Sequence, residues 1–215
     1  MVEKIPLIMK LRRKIHRDIA YAQDLIVENI YKVFPYAVIH GGTAIWRCYN
    51  GNRFSEDIDV YIKKDTEKIN EFFDSLSKTG FQIIKKRIKE NSLYSALSIN
   101  NVVVRFEAVF KEEVPYLKEY ETSDGLFLNI YTLTPEKLIK EKINAYMKRR
   151  KIRDLYDIFF LLRYTEDKKE IKNILKKFVE NFENPDDEEN LKAILFSYPI
   201  PSSKEMLEYI RKWAK

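Results

Sequence analysis

Two aspartates stand two residues apart, at Asp57 and Asp59, inside a strand that is otherwise hydrophobic. The alternation of Phe54–Ile62 puts Ile58, Val60 and Ile62 on one face and Asp57, Asp59 and Tyr61 on the other. Two carboxylates on one face repel each other, and burying them is costly unless a cation compensates. Mg²⁺ takes oxygen ligands and shares them with phosphates, so the strand predicts a magnesium site. Two such ions, about 3.5–4 Å apart, can activate a hydroxyl and stabilise a leaving pyrophosphate.

Phosphate-binding residue types precede this acid pair. Gly41-Gly42 follows a predicted strand and lets the backbone approach a ligand, and Thr43 is predicted to cap the helix that begins there. Arg53 and Ser55 add a cation and a hydroxyl just ahead of the acids. A Gly-Gly pair alone is more often only a turn, so the prediction rests on the joint order of these residues.

A third acid, Glu107, is a candidate ligand for the second ion. In VVVRFEAVF it lies with Arg105 on the face opposite Val104, Phe106 and Ala108. The alternative is that Glu107 pairs with Arg105 or another base on a solvated sheet face.

The remaining pattern predicts an α/β half followed by helices, with domains at 1–132 and 133–215. In the first half we expect helical patterning over 3–33, broken near 12–16, strands at 36–40, 54–62, 81–89, 93–99, 102–110 and 126–131, and helices at 43–49 and 63–78. Asn100-Asn101 predicts a tight hairpin. In the second half we expect helices at 135–149, 152–165, 167–182, 187–196 and 203–213.

Composition sets limits on location and partners. A single cysteine, Cys48, rules out an internal disulfide and a cysteine metal cluster, and no stretch is long and apolar enough to be a signal segment or a membrane span. We therefore expect a cytoplasmic protein with no membrane partner. The formal net charge of +6 favours polyanionic partners without identifying one.

Two separated motifs resemble a known family. The stretch HGGTAIWRCYNGNRFSEDIDVYI resembles the signature of DNA polymerase β-like nucleotidyltransferases, and its GGTA and RFSEDID segments are most similar to the AbiEii/AbiGii-toxin branch. The later stretch EKINAYMKRRKIRDLYDIFFLL is similar to that branch's second motif, which maps onto Lys142, Arg150, Arg153, Asp154 and Asp157. The resemblance spans about 36–163, and nothing in 167–215 matches.

The resemblance implies an α+β fold, a polymerase β-like nucleotidyltransferase mixed sheet with flanking helices, followed by a helical C-terminal region that completes the cleft. It also implies Mg²⁺-dependent use of a nucleoside triphosphate, with Asp57 and Asp59 as metal ligands. Toxins of this family bind nucleotides, and some add them to the acceptor end of tRNA opposite a separately encoded antitoxin. This chain departs from the pattern in a longer gap from Gly42 to Asp57 and in a Glu where Asp is frequent.

The second motif and the basic clusters each have a structural alternative. Lys142 could reach a triphosphate, with Asp157 orienting it or Arg150, or these residues could form salt bridges between consecutive helices. Lys85, Arg87 and Lys89 would line one face of a strand as a track for an RNA backbone, or simply form a solvated face. His16 and His40 are predicted to be structural.

The leading hypothesis is a magnesium-dependent nucleotidyltransferase that moves a nucleoside monophosphate to a hydroxyl of RNA, namely a tRNA 3′ end. Its alternatives are the same chemistry on a small molecule or a protein, and a nucleotide- or RNA-binding module without turnover. The predicted catalytic residues are Asp57, Asp59, Glu107 and Lys142, with the three acids as metal ligands. The predicted nucleotide-binding residues are Gly41, Gly42, Thr43, Arg53, Ser55, Arg150 and Asp157.

Overall fold

A computed structural model describes residues 6–215, so the predicted helical positions 3–5 lie outside the described residues. The contacts divide the chain into two compact units. One comprises Met1–Asn50 and Ser55–Thr132, and the other comprises Gly51–Phe54 and Leu133–Lys215.

The first unit is built on a mixed sheet, as predicted. Within residues 6–215 the sheet has seven strands in the order β3-β4-β5-β2-β1-β7-β6. The pairs β1–β7 and β2–β5 are parallel, and the other neighbours are antiparallel. The strands are β1 (Val38–His40), β2 (Ile58–Ile62), β3 (Gln82–Ile88), β4 (Ser92–Ile99), β5 (Val102–Phe110), β6 (Tyr116–Glu121) and β7 (Phe127–Thr132).

One face of the sheet is buried and the other is open along β4 and β5. In β5 the buried residues Val102, Val104, Phe106 and Ala108 alternate with exposed ones. Helix α4 (Thr66–Lys78) packs on the buried face, where the Phe72 ring lies 5.0 Å from the Phe106 ring. The other helices of this unit are α1 (Leu7–Lys10), α2 (Lys14–Val33) and α3 (Gly41–Cys48). The break between α1 and α2 is close to the one that the sequence predicts.

A buried ion pair ties α2 and α3 to the sheet. The Asp24 carboxylate accepts hydrogen bonds from Arg47 at 2.5 Å, from the Tyr120 hydroxyl at 3.0 Å and from the Ser123 backbone N–H at 2.7 Å. Burial raises the pKa of Asp24, and the Arg47 charge opposes that rise. Arg47 also lies over the rings of Trp46 and Tyr120, so the cation is enclosed on several sides.

The second unit is helical, as predicted. Its α-helices are α5 (Pro135–Arg149), α6 (Ile152–Leu161), α7 (Lys168–Glu180), α8 (Leu191–Ile194) and α9 (Ser203–Ala214), with 3-10 turns at Leu162–Tyr164 and Glu188–Asn190. Helix α5 begins with the predicted cap, because the Thr134 side chain accepts a hydrogen bond from the Lys137 N–H and Pro135 follows. Among residues 6–215, no helix combines the length and the apolar character needed to cross a lipid bilayer.

Several elements differ from the predictions for physical reasons. The predicted helix 187–196 ends at Ile194, because the backbone beyond it pairs with Asn52 and Phe54. The same pairing holds Arg53 and Phe54, so β2 begins at Ile58 rather than at Phe54. Strand β6 was not predicted, since its YLKEYE sequence lacks an apolar face. Thr43 does not cap α3, which begins at Gly41. The predicted Asn100-Asn101 hairpin is confirmed, with a positive φ at both residues.

Candidate active site

Three carboxylates lie near one another on the open face of the sheet, two from the start of β2 and one from β5. The parallel pairing of β2 with β5 sets Asp59 directly beside Glu107. Asp57 leaves the same face two residues before Asp59, just ahead of the first residue of β2. The buried residues Ile58 and Val60 between and after them point into the core instead. The predicted acids therefore form one cluster within the first unit.

Arg105 provides the counter-charge for Asp57. It lies two residues before Glu107 on β5, and its guanidinium donates to both Asp57 carboxylate oxygens, at 2.7 and 2.6 Å. These hydrogen bonds raise the pKa of Arg105. The sequence predicted Arg105 on this face, as a possible partner of Glu107. Its observed partner is Asp57, because the pairing depends on the register between β2 and β5, which residue spacing does not reveal.

The charged form of Glu107 is destabilised by the carboxylates near it. Its partial burial, followed by the charges of Asp59 and Asp57, raises the pKa of Glu107, while Arg105 lowers it. Crowding of carboxylates of this kind favours either a proton or a cation between them. An added positive charge nearby would therefore stabilise the charged form of Glu107.

Gly41 makes room for Asp59. Its φ is +70°, and a Cβ at this position would overlap the Asp59 carboxylate and lie 3.1 Å from its Cγ. A glycine is needed here for two reasons, the left-handed backbone and the close approach of the side chain. The first glycine of the predicted Gly-Gly pair therefore packs its backbone directly against the acid pair.

Thr43 and Ser55 hold the segment that carries Asp57. The buried Thr43 hydroxyl donates to the Asp57 carbonyl, and the Ser55 carbonyl accepts from the Gln23 side chain at 2.9 Å. Gly42 is also buried. In this structure the Thr43 hydroxyl therefore fixes the start of β2 against the first turn of α3.

The carboxylate oxygens of Asp57, Asp59 and Glu107 are ligands that a hard divalent cation prefers, although the three side chains do not surround a common point. Within residues 6–215 no three His, Cys, Asp or Glu side chains converge as a metal site. Asp57 turns both of its oxygens to Arg105 instead. Beyond partial burial, the charges of Asp59 and Asp57 help to raise the pKa of Glu107, so a cation near these carboxylates would relieve their repulsion. A metal bound here would compete with Arg105 for Asp57.

The second unit contains a separate buried charge cluster made of predicted site residues. Arg53 donates to both oxygens of Asp157 at 2.6 Å and to the Phe54 carbonyl at 2.9 Å. The Lys142 ammonium lies 2.9 Å from Asp157 and 3.6 Å from Asp154. The Arg53 and Lys142 side chains are only 5% and 9% exposed, and both aspartates are fully buried. Lys142 of α5 thus pairs with Asp157 of α6, as the alternative of salt bridges between consecutive helices predicted, and a role of Asp157 in orienting Lys142 toward a nucleotide stays a prediction.

The other cations of the second motif lie toward the surface. Arg149, which the sequence did not single out, forks onto Asp154 at 2.7 and 2.8 Å and so completes the buried cluster. Arg150 pairs with Glu183 and, at 3.0 Å, with Asp186 rather than with Asp157. Arg153 is exposed. His40, predicted to be structural, stacks on Tyr61 with ring centroids 3.9 Å apart.

Replacing Gly41 by alanine should disable the acid cluster. The new methyl group would displace the Asp59 carboxylate, and the left-handed backbone would add roughly 1–2 kcal/mol of strain. We expect metal-dependent nucleotide binding, measured by calorimetry, to fall at least tenfold. The matched control is Gly125→Ala, which has a positive φ of 89° but contacts Pro6. Equal reductions in binding in the two variants would contradict a specific role for Gly41.

Asp157→Asn should destabilise the protein, because Arg53 and Lys142 would be deprived of their buried counter-charge. Burial alone would raise the pKa of Asp157, but the charges of Arg53 and Lys142 outweigh it and hold the pKa below 3.8. The carboxylate therefore contributes stability that is complete above about pH 4 and is lost as the pH falls through its depressed pKa. We expect a loss of about 3–5 kcal/mol at pH 7, measured by urea unfolding.

The control for this prediction is Asp186→Asn, which removes a half-exposed partner of Arg150 and should change stability little. The difference between Asp157→Asn and the parent should also shrink below pH 4. A difference that stayed constant down to pH 2 would show that Asp157 does not act through its charge.

Comparison with known proteins identifies the family. The model of the family "Nucleotidyl transferase AbiEii toxin, Type IV TA system" matches residues 28–208. The crystal structure of JHP933 from Helicobacter pylori is similar, with a TM-score of 0.65 and 18% identity, covering 94% of this chain and 91% of that one. So is that of a candidate nucleotidyltransferase from H. pylori, with a TM-score of 0.62 and 18% identity over 93% and 91%.

These likenesses to solved structures concern the fold, and a search of curated proteins finds no match. The family match covers most of the chain and includes both motifs, the acid pair of β2 and the charge cluster of α5 and α6. The chain therefore belongs to the AbiEii family of nucleotidyl transferase toxins, and it is a nucleotidyltransferase.

Proposed function

We propose that this protein transfers a nucleoside monophosphate from a nucleoside triphosphate to a hydroxyl of RNA, with Mg²⁺ as cofactor. The observation that carries the proposal is the cluster of Asp57, Asp59 and Glu107 on one open sheet face, with Gly41 packed against Asp59. Acids crowded on an open face are costly unless they serve a cation and its phosphate ligand.

The three acids have separate roles in this proposal. Asp57 and Asp59 hold the metal, and Glu107 completes the site for a second ion. Bound there, Mg²⁺ would neutralise the triphosphate and make the attacking hydroxyl more acidic. Arg105 must give up Asp57 when the metal binds, which leaves a cation on the same sheet face for the phosphates.

The reaction is a substitution at the α-phosphorus of the triphosphate. The hydroxyl oxygen of the acceptor forms a bond to that phosphorus, the bond to the bridging oxygen of the β-phosphate breaks, and pyrophosphate leaves. In this proposal Glu107, on the strand beside Asp59, accepts the hydroxyl proton.

The phosphates are assigned to the loop and to the first turn of α3. The backbone at Gly41 and Gly42 begins a helix, where N–H groups and the helix dipole favour anions, and Thr43 and Ser55 hold the adjoining segment in place. Contacts from Arg53, Lys142, Arg150 and Asp157 to a nucleotide stay a prediction. The hydrogen bonds of Arg53 and Lys142 to Asp157 support a role for this carboxylate in orienting them.

The acceptor in the proposal is the 3′ end of a tRNA, reached in the cytoplasm, and the protein acts as the toxin of a pair with a separately encoded antitoxin. Membership of the AbiEii toxin family and the net charge of +6 support a polyanionic acceptor. A small molecule or a protein as acceptor would give the same chemistry at the acids, so the acceptor requires a direct experiment.

The experiment incubates purified protein and Mg²⁺ with total tRNA and each α-labelled triphosphate in turn. We expect label to enter tRNA with one nucleotide, and Asp57→Asn or Asp59→Asn to reduce the rate by at least a thousandfold, since each removes a metal ligand. Glu56→Gln, an exposed neighbour of Asp57, is the control and should retain the parent rate.

Each outcome of this experiment has one meaning. Unchanged rates in Asp57→Asn and Asp59→Asn would refute the roles of the acids. Label that never enters tRNA but enters a small hydroxylated molecule or a protein would refute the RNA acceptor while leaving nucleotidyl transfer in place.

A further inference from the structure

The edge strand β3, separated from the acid cluster by β4, has a cationic face. Lys85 and Arg87 lie on β3 and Lys89 directly follows it, and all three are exposed. Strand β3 is at one end of the strand order, so one of its edges pairs with β4 and the other edge pairs with no strand of the described sheet. Lysines on an edge strand often serve only to prevent strand pairing between molecules, so their position on the sheet decides what else they can do.

The strand register places these cations on the same face as the carboxylates. Arg87 pairs with Tyr94 of β4, Tyr94 with Glu107 of β5, and Glu107 with Asp59 of β2. Residues that are directly opposite in a sheet project from the same face, so these four side chains form one row across four strands. Neighbouring strands are about 4.8 Å apart, which puts Arg87 roughly 10 Å from Glu107 along the row.

A shallow cavity lies along that row from Arg87 to Glu107. It has a volume of about 320 Å³, and its lining includes Lys85, Arg87, Lys89, Tyr94 and Glu107. The Lys85 ammonium lies 5.4 Å from the centre of the Tyr94 ring, so the cation and the ring share the same wall. The cavity therefore leads from a cationic rim to the acid that is assigned to receive the proton.

The opposite face of the same strand is different. Lys86, between Lys85 and Arg87, donates to the Asn70 side chain at 3.1 Å and lies over the Phe73 ring at 4.2 Å, both on α4. It is held by the protein itself, whereas its two neighbours project toward the cavity. The basic residues of β3 thus lie on two faces. Lys86 packs against α4, and Lys85 and Arg87 line the cavity that also contains Glu107.

We propose that this cavity and its rim, formed by Lys85, Arg87, Lys89 and Tyr94, bind the RNA acceptor close to its terminal hydroxyl. The inference rests on the proposed transfer to RNA and adds where the acceptor enters. The three cations contact successive phosphates, and the Tyr94 ring offers a stacking surface for a base between them and Glu107. A chain approaching from β3 would then present its terminal hydroxyl at Glu107 and Asp59.

The test measures RNA binding without turnover. A fluorescein-labelled tRNA is titrated with Asp59→Asn protein, with and without the triple change Lys85→Gln, Arg87→Gln and Lys89→Gln, and anisotropy is followed at several salt concentrations. We expect the triple variant to bind at least tenfold more weakly at low salt. The slope of log affinity against log salt should fall by about 0.7 for each single-strand phosphate that the variant no longer neutralises, or about 2 in all.

The matched control removes three exposed lysines of α7 by Lys169→Gln, Lys172→Gln and Lys176→Gln. Both triple variants lose three charges from a protein of net charge +6, so a general electrostatic effect would weaken RNA binding equally in both. An equal weakening in both, or unchanged binding in the β3 variant, would overturn the proposal. Circular dichroism confirms that each variant is folded.

Two further readouts separate this inference from the proposed function. Nucleotide affinity in the presence of Mg²⁺ is compared in proteins that keep Asp59, and it should be unchanged by the triple change on β3. A parallel fall in that affinity would instead assign the cations to the donor triphosphate. If the parent protein binds no RNA at any salt concentration, the RNA acceptor itself is refuted. If it binds RNA and the β3 variant binds equally well, only the location of the surface is refuted.

Discussion

The parallel pairing of β2 with β5 is the constraint on which the candidate site depends. It sets Asp59 beside Glu107 although the two residues are far apart in sequence, and it brings Arg105 within reach of Asp57. A slip of one residue in this register would turn Glu107 into the core and Phe106 out to solvent. The Phe72–Phe106 contact under the sheet resists such a slip, so apolar packing on one face fixes the chemistry on the other.

Buried carboxylates and carboxylates on the open sheet face differ in how their charge is compensated. In the second unit Asp157 and Asp154 are fully buried and surrounded by Arg53, Lys142 and Arg149, and breaking one of these pairs would strand a buried charge. In the first unit Asp24 is buried against Arg47 in a similar way. The carboxylates of Asp57, Asp59 and Glu107 lie instead on the open sheet face, where Arg105 pairs with Asp57. Buried pairs of this kind stabilise the fold, whereas the carboxylates on the open sheet face are accessible to solvent, as the proposed cation site requires.

The sequence was sufficient for the α+β class, for the helical second half, for Asp57 and Asp59 on one face of their strand, and for Glu107 on the polar face of its own strand. These follow from side-chain periodicity, which is local. It was not sufficient for contacts that depend on register or on long-range pairing. The fork from Arg105 to Asp57, the Arg53–Asp157 pair and the pairing of 52–54 with 194–196 are of this kind. Strand β6 was missed because its polar residues hide the alternation, and the first turn of α3 was misjudged because Thr43 bonds to the Asp57 carbonyl.

The pairing of Arg105 with Asp57 bears on whether the protein needs a metal ion in order to fold. Since Asp57 has an internal counter-ion, the chain can fold without first capturing a metal to relieve repulsion at that carboxylate. Folding and activation are then separate steps. Under the proposed function, the second step would exchange Arg105 for a metal ion at Asp57, and the folded protein would stay inactive until metal and nucleotide bind.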